Sequence, residues 1–489
     1  MKILLINPNG SNWIEGFPDY TDIAIRLAPI GILSVAAYLL KAQHLVKVHD
    51  CQGLNDNLNR AKIANYINTF NPDIVGFTAV TSSFTNAYAL AEYIKALVPE
   101  IKIVFGGAHV SALRSKILEK FPAIDYLVTG EGEKAMAELA AGAKLQTIQG
   151  LVFRNNLIIQ ENELRTDLCD LDTLPFPAYQ ALESFPKRFN AALFNYPRFP
   201  VATIISSRGC IYSCSYCDRS VYRKSFRFNS AQYLYAQMRY LKKEFQIKHI
   251  FFYDDQFTFN RERIIELCQL LKNNPLQMSF NCAAHVGHLD KELLKELKAA
   301  GCWMVSVGIE SGSPEILARH KTKVDFAAME SAVRMIQKAG LRAKGLFMMG
   351  LPGETEKTIE MTQSFIDKLR LDDMNITKFT PFPGSPLYQN IETEGSFEEK
   401  WNLMNCLNFV FVPRGVQSKE RLNNLYNQLI KNFYTSRNWI SKFGWLCFKS
   451  PHSTYRLIKN FNHFLKIKND FQPRSTQVRK VGIINPRST

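Results

Sequence analysis

The feature that most constrains this chain is a repeated alternation of short apolar runs with amphipathic helical stretches, sustained from the first residues to about residue 390. Short apolar runs bounded by Gly, Pro, Asn or Ser read as buried strands, and apolar spacing of three to four residues between them reads as helices. In residues 1–142 the runs fall at 2–8, 45–51, 74–79, 102–107 and 126–130, with helical stretches near 31–41, 57–70, 83–97, 110–119 and 133–142. Strands alternating with helices form a parallel sheet covered on both faces, so this part is expected to be a doubly wound α/β domain. Residues 199–390 repeat the unit six times, with strands at 202–206, 249–254, 279–284, 304–309, 344–349 and 376–381. Six consecutive units suit a partial (β/α)6 barrel of the TIM type, with its chemistry at the C-terminal mouth of the strands. Residues 143–198 form a connector with a short strand pair around 150–162 and the turn L-P-F-P-A at 174–178, whose prolines remove two backbone donors. Residues 391–489 are expected to be helical and basic.

The chain has 489 residues, enough for several cores, and a net charge of +16. That charge is concentrated: residues 441–489 carry ten Lys or Arg against one acidic residue, Asp470. The opening M-K-I-L-L-I-N-P has no signal-peptide pattern, and no long apolar run is free of charge, so a cytoplasmic location is expected. There disulfides are uncommon, and the spacing of the ten cysteines matters more than their number. Seven (51, 169, 268, 282, 302, 406 and 447) are scattered and read as small core residues.

The other three stand together in S-S-R-G-C-I-Y-S-C-S-Y-C-D, as Cys210, Cys214 and Cys217, just past the end of the first barrel strand. Zinc sites usually take four protein ligands, often two C-x-x-C pairs, and no second pair completes one here. A four-iron cluster on three cysteines leaves one iron open. The alternatives are a zinc knuckle with a remote fourth ligand and a chance cysteine-rich loop.

This segment resembles the signature of the radical S-adenosylmethionine (radical SAM) superfamily, C-x-x-x-C-x-x-C with an aromatic residue, here Tyr216, before the last cysteine. The resemblance implies a [4Fe-4S] cluster whose open iron is chelated by S-adenosylmethionine. One electron then cleaves the cofactor to a 5′-deoxyadenosyl radical, with Tyr216 near the adenine. Family members carry a polar group at the end of the second strand that meets the methionyl amine. Here F-F-Y-D-D-Q offers Asp254 and Asp255, a departure from the G-G-E form of many branches; helix capping is their alternative role. In V-G-I-E-S-G-S, Glu310 resembles family ribose contacts, with pairing to a barrel arginine as the alternative. The fifth strand ends G-L-F-M-M-G-L-P-G-E-T, and by the same resemblance Gly350 and Gly353 lie beside the nucleotide. In the sixth, F-T-P-F-P-G-S-P-L-Y, the resemblance has Pro381 stiffening a loop beside adenine or substrate, with a purely structural turn as the alternative.

A doubly wound domain ahead of such a barrel resembles the cobalamin-binding subfamily. The supporting segments are R-L-A-P-I-G-I-L-S-V-A-A-Y-L at 26–39, T-A-V-T-S-S-F at 78–84 and G-G-A-H-V-S at 106–111. The resemblance places cobalamin over the strand ends, with Asn7, Thr81, Ser82, Ser83, Gly106, Gly107, His109 and Gly130 as contacts. D-x-H-x-x-G, the motif that ligates cobalt through histidine, is replaced after the first strand by N-P-N-G-S-N, so cobalt is expected without that ligand. A Rossmann-like nucleotide binder is the bland alternative, weakened by the lack of G-x-G-x-x-G.

Methylation of an unactivated carbon or phosphorus centre is the leading expectation for function, since it is common in the resembled subfamily. The substrate is a small molecule, or a lipid- or porphyrin-like one. A radical oxidative cyclase or rearrangement enzyme of the same architecture is the second reading, and an iron–sulfur sensor without turnover the third. An electron donor such as flavodoxin or ferredoxin is expected as partner, and nucleic acid is not. The segments at 439–450 and 455–468 mix aromatic and basic residues, as helices lying on anionic membranes do. They suit equally a helical cap over the barrel mouth.

Overall fold

A computed structural model of the chain describes residues 1–15, 25–156, 158–321 and 325–461. The first sheet begins with β1 (Lys2–Asn7), whose last five residues are all buried, as a central strand requires. Helix α1 (Ile30–Lys41) leads to β2 (Leu45–Asp50), α2 (Asp56–Phe70) to β3 (Ile74–Thr78), and α3 (Phe84–Leu97) to β4 (Lys102–Gly106). Two short helices, α4 (Ala108–Leu113) and α5 (Ser115–Lys120), precede β5 (Tyr126–Val128) and α6 (Gly132–Ala140). The expected single helix at 110–119 is broken at Arg114, whose φ of 53° leaves the helical region. A strand pair, β6 (Leu151–Asn155) and β7 (Ile158–Glu161), follows. The strand order is 2-1-3-4-5-6-7, parallel from β2 to β5, and β6 and β7 join antiparallel at the edge. The order reverses beside β1, the switch point where such sheets open a crevice.

The second sheet starts at β8 (Val201–Ile204), followed by a small antiparallel pair, β9 (Ser207–Gly209) and β10 (Phe226–Phe228), that brackets the cysteine loop. Then come α7 (Ala231–Phe245), β11 (His249–Phe252), α8 (Arg261–Asn273), β12 (Ser279–Ala284), α9 (Lys291–Ala299) and β13 (Cys302–Glu310). Helices α10 (Pro314–His320) and α11 (Phe326–Lys338), β14 (Arg342–Met349), α12 (Glu356–Leu369) and β15 (Asp373–Lys378) complete it. All six strands are parallel in the order 8-11-12-13-14-15, so the sheet sweeps one way into an open half-barrel. The α/β architecture is thus a doubly wound domain followed by a partial barrel.

The two parts share one core. The α1 face of the first sheet packs through the connector residues Ala178 and Tyr179 into the barrel, while its other face has a separate core around Leu4, Phe77 and Phe105. The Ala178 amide donates to the Leu33 carbonyl (3.1 Å) and the Tyr179 hydroxyl to the Thr203 carbonyl (2.6 Å). These bonds satisfy backbone groups on both sides of the joint.

Past the barrel, the chain forms the hairpin β16 (Gly395–Phe397) and β17 (Phe411–Pro413), then α13 (Lys419–Tyr434), α14 (Arg437–Lys449) and α15 (Pro451–Lys459). The loop inside this hairpin reaches back to the first domain, where the Asn405 and Asn408 amides donate to the Trp13 carbonyl (2.7 and 3.1 Å). Helix α14 stacks Trp445 on Trp303 at the start of β13, and Lys442 pairs with Asp372 just before β15 (2.6 Å). It therefore covers the N-terminal end of the barrel strands, and not the mouth that one of the two readings of this segment had it close. Residues 462–468 of the second aromatic-basic segment lie outside the described residues. No helix among the described residues is long and apolar enough to cross a membrane.

Candidate active site

The barrel opens on a cavity of about 500 Å³ lined by Cys210, Cys214, Cys217, Tyr216, Asp254, Asp255 and Glu310. The barrel sheet thus brings seven of the sequence-predicted residues around one space. The three thiols sit on an irregular loop between β9 and β10, outside regular structure because its contacts are made by neighbours. The Ser215 amide donates to the His320 carbonyl (3.1 Å), and its hydroxyl bonds His320 Nδ1 (2.8 Å). His320 Nε2 in turn meets the Pro352 carbonyl (2.7 Å). Burial lowers the His320 pKa, so a neutral ring with its proton on Nε2 satisfies both bonds.

The glycine- and proline-rich strand ends therefore support the cysteine loop. Pro352 braces His320, the Leu387 amide donates to the Ser215 carbonyl (3.2 Å), and a Cβ on Gly384 would fall 2.1 Å from an Asp218 carboxyl oxygen. Gly350 and Gly353 pack instead on Phe409 and Arg319, and neither they nor Pro381 line the cavity. Glu354, fully buried, accepts from the Gly350 amide (2.5 Å), and burial pushes its carboxyl up to about 8.

The two adjacent aspartates, two and three residues past the end of β11, have different surroundings. Asp254 is buried and accepts from the Ser206 amide (2.8 Å), the Ser206 hydroxyl (3.0 Å) and the Ser207 hydroxyl (2.6 Å), which fixes the approach to the cysteine loop. Burial raises its carboxyl to about 6 against the pull of those bonds and of Arg263. Asp255 opens into the cavity near Cys210 and Cys217, and its carboxyl is also raised by desolvation. Neither caps α8, whose cap is Asn260. Glu310 sits at φ 69° where β13 slips register, and pairs with Lys321 (3.6 Å), a lysine and not an arginine. Burial lifts its carboxyl and Lys321 opposes the shift.

The chemistry of the donor set fits an iron–sulfur cluster. Burial and nearby acidic groups raise Cys217 to about 12, and Cys210 is raised chiefly by burial, so both thiols need a bound cation to ionise. Among the described residues no three His, Cys, Asp or Glu side chains converge to hold a single metal ion, the arrangement a mononuclear zinc site requires. Of the seven other cysteines, 51, 268, 282 and 302 are buried as core residues, while 169, 406 and 447 are only partly buried.

Sequence reasoning missed the cavity's floor: Asn195, Asn281, Ser306, Lys344 and Asn375. Lys344 pairs with Asp373 (3.1 Å), and the Asn281 amide donates to the Asn195 carbonyl (2.5 Å), leaving its buried Oδ1 without a partner. For Asn281, Ser306, Lys344 and Asn375 the signal was present as polar residues on barrel strands, where apolar ones are the norm; Asn195, in the connector, gave none.

A second cavity, of about 210 Å³, lies in the first domain over the ends of β1, β3, β4 and β5. Apolar side chains such as Ile32, Val35 and Met136 line it together with Gly76, Gly106, Gly107, Gly130 and Gly132. Gly107, at φ 107°, has no room for a side chain: its Cβ would lie 2.6 Å from the Ala79 carbonyl oxygen. A glycine-floored apolar slot at strand ends fits a flat heterocycle on a corrin's nucleotide arm. Of the other residues expected there, Asn7 is tied to Asp50 (2.8 Å), and Thr81, Ser82 and Ser83 form a buried turn. His109 is buried between Phe84 and Trp401, with Nδ1 near the Thr81 hydroxyl (3.2 Å). None of these five lines the cavity, and burial holds His109 down to about 3.

The wall facing the barrel is made by Arg208, Val221 and Tyr222, from the segment that carries the cysteines. Arg208 pairs with Glu133 (2.6 Å) and Glu131, Arg227 also reaches Glu131, and the Ser34 hydroxyl donates to Glu133 (2.7 Å). Burial alone would raise the Glu133 carboxyl, but Arg208 outweighs it and holds the group below its usual range.

Comparison with known proteins agrees with both halves. Residues 204–366 match the radical SAM superfamily, and residues 21–140 match the B12-binding domain. The uncharacterized methyltransferase PH0819 of Pyrococcus horikoshii is 32% identical over 80% of this chain and 83% of its own. The anaerobic magnesium-protoporphyrin IX monomethyl ester cyclase of Cereibacter sphaeroides is 24% identical over 89% of this chain and 71% of its own. The fold matches the cobalamin-dependent S-adenosylmethionine radical enzyme OxsB, solved with aqua-cobalamin and S-adenosylmethionine, with a TM-score of 0.71 and 17% identity over 94% of this chain and 72% of that one. Sequence, sheet topology and the two cavities together place this chain among the cobalamin-binding radical S-adenosylmethionine enzymes, with an iron–sulfur cluster, S-adenosylmethionine and cobalamin as its cofactors.

Proposed function

We propose that this enzyme methylates an unactivated carbon or phosphorus centre of a small molecule. The observation that carries the reading is that the thiol-lined cavity and the glycine-floored cavity lie on either side of one loop, so both cofactors serve a single site. When bound, the cluster supplies the electron that cleaves S-adenosylmethionine, and cobalamin supplies the methyl group.

The chain's own residues bind and orient. Cys210, Cys214 and Cys217 hold the cluster, and Asp255 takes the methionyl ammonium by a charge-assisted hydrogen bond. Glu310, held by Lys321, faces the ribose hydroxyls, and Tyr216 packs by the adenine. The buried Oδ1 of Asn281 and the Lys344–Asp373 pair give the substrate a polar end to dock against. Reduced flavodoxin or ferredoxin acts as the electron donor.

The likeness to PH0819, stronger than that to the cyclase, favours methyl transfer over ring formation. The test is anaerobic turnover of a metabolite extract with S-adenosylmethionine labelled in its methyl group. The reading expects a new product carrying the label together with S-adenosylhomocysteine; a product that forms without the label would establish the cyclase chemistry instead.

The outer side of α14 and α15 supports peripheral contact with an anionic membrane. Phe448 is 80% exposed and Ile458 69%, and Ile440, Tyr455 and Phe461 are exposed as well. Residues 437–461 contain no acidic side chain. Aromatic and basic residues sharing a helix face suit the headgroup boundary.

A further inference from the structure

We propose that the segment 208–222, which lines both cavities, makes binding of cobalamin and assembly of the cluster mutually reinforcing. This rests on the reading that the glycine-floored cavity receives cobalamin's nucleotide arm.

Three observations carry it. Arg208, Val221 and Tyr222 form one wall of that cavity, and they bracket the three cysteines closely: Arg208 stands two residues before Cys210, and Val221 four after Cys217. Both ends of the segment are fastened to the first domain. On one side Arg208 is held by Glu131 and Glu133; on the other the Ser220 hydroxyl donates to the Ala108 carbonyl (3.2 Å). Val221's carbonyl oxygen lies 3.7 Å from where a Cβ on Gly130 would stand, so the wall sits directly on the cavity's glycine floor. Between Gly209 and Phe226 the segment has no helix or strand of its own.

The segment is held by contacts with Glu131, Glu133, Ala108 and His320 and not by a helix or strand ladder, so a group bound on either side adds to what fixes it. Cluster ligation fixes three of its residues and so removes part of the entropy cost of presenting the wall. Cobalamin against the wall fixes the same segment from the other side. The coupling is reciprocal by linkage, so each cofactor raises affinity for the other by the same factor. The Arg208–Glu133 pair serves this role by orientation more than by net energy, since a buried ion pair returns little of its desolvation cost.

The experiment is anaerobic equilibrium dialysis of hydroxocobalamin against the full chain, before and after iron–sulfur reconstitution. It is repeated with Val221→Trp, which fills the cavity from the barrel side, after its iron content and melting curve have been matched to wild type. Affinity is expected to be about fivefold or more tighter in the reconstituted protein, and about tenfold or more weaker in the variant. Wild type that binds equally in both states overturns the proposal even if the variant misfolds. A folded variant that binds as wild type does overturns it as well. No binding by wild type in either state removes the cobalamin reading and this proposal together.

Discussion

At the scale of single residues, the sequence located the chemistry better than it divided the labour. Cys210, Cys214, Cys217 and Tyr216 were legible because spacing within a short loop survives any fold. Asp254 and Asp255 were indistinguishable as letters; only tertiary partners decide that Asp254 is tied to Ser206 and Ser207 while Asp255 stands near Cys210 and Cys217. Gly350 and Gly353 were read as nucleotide contacts, yet their turn serves to bury Glu354 and brace His320. Glu354 yields a prediction with a defined sign. Its folded carboxyl lies near 8 against 4.5 unfolded, so its contribution to stability is complete below about 4.5 and is lost as pH rises through about 8. Glu354→Gln keeps the acceptor for the Gly350 amide and removes the titration. Its melting temperature should match wild type below about pH 4.5 and exceed it above about pH 8. A variant that is less stable at high pH would contradict this environment.

At the scale of elements, period and punctuation indicated each parallel strand, because most are apolar runs between turn residues; the polar β15, D-M-N-I-T-K, starts three residues before its expected place. What stayed hidden was set by distant partners. Nothing local to β6 and β7 says that they join the first sheet antiparallel, and the break at Arg114 is fixed in part by its ion pair with Glu161 (2.7 Å). The reach of residues 401–408 back to Trp13 depends on side chains almost 400 positions away. The turn between β4 and α4 supports a second prediction. Gly107→Ala forces a side chain at positive φ into the Ala79 carbonyl, at a cost of about 2 kcal/mol or more. Denaturant unfolding should show that loss together with weaker hydroxocobalamin binding; unchanged stability would mean that the turn has slack.

At the scale of the whole molecule, the arrangement joins a doubly wound domain and a partial barrel through a shared core and a buried ionic joint, with a helical cap beneath the barrel. That cap presents its aromatic, basic side away from the body. The chain should sediment with phosphatidylglycerol vesicles at low salt and not with phosphatidylcholine vesicles, and the double variant Phe448→Glu, Ile458→Glu should lose the binding. Retention of binding by the double variant would remove this face as the contact.

The central claim is that one loop serves two cofactors. Anaerobic reconstitution with iron, sulfide, hydroxocobalamin and S-adenosylmethionine, followed by addition of a reductant, tests it most directly. The wild-type chain should retain a cobalamin absorption spectrum after desalting and release 5′-deoxyadenosine, and Cys214→Ala should release none. A protein that keeps no cobalamin, or one whose nucleoside release persists without Cys214, would contradict the account.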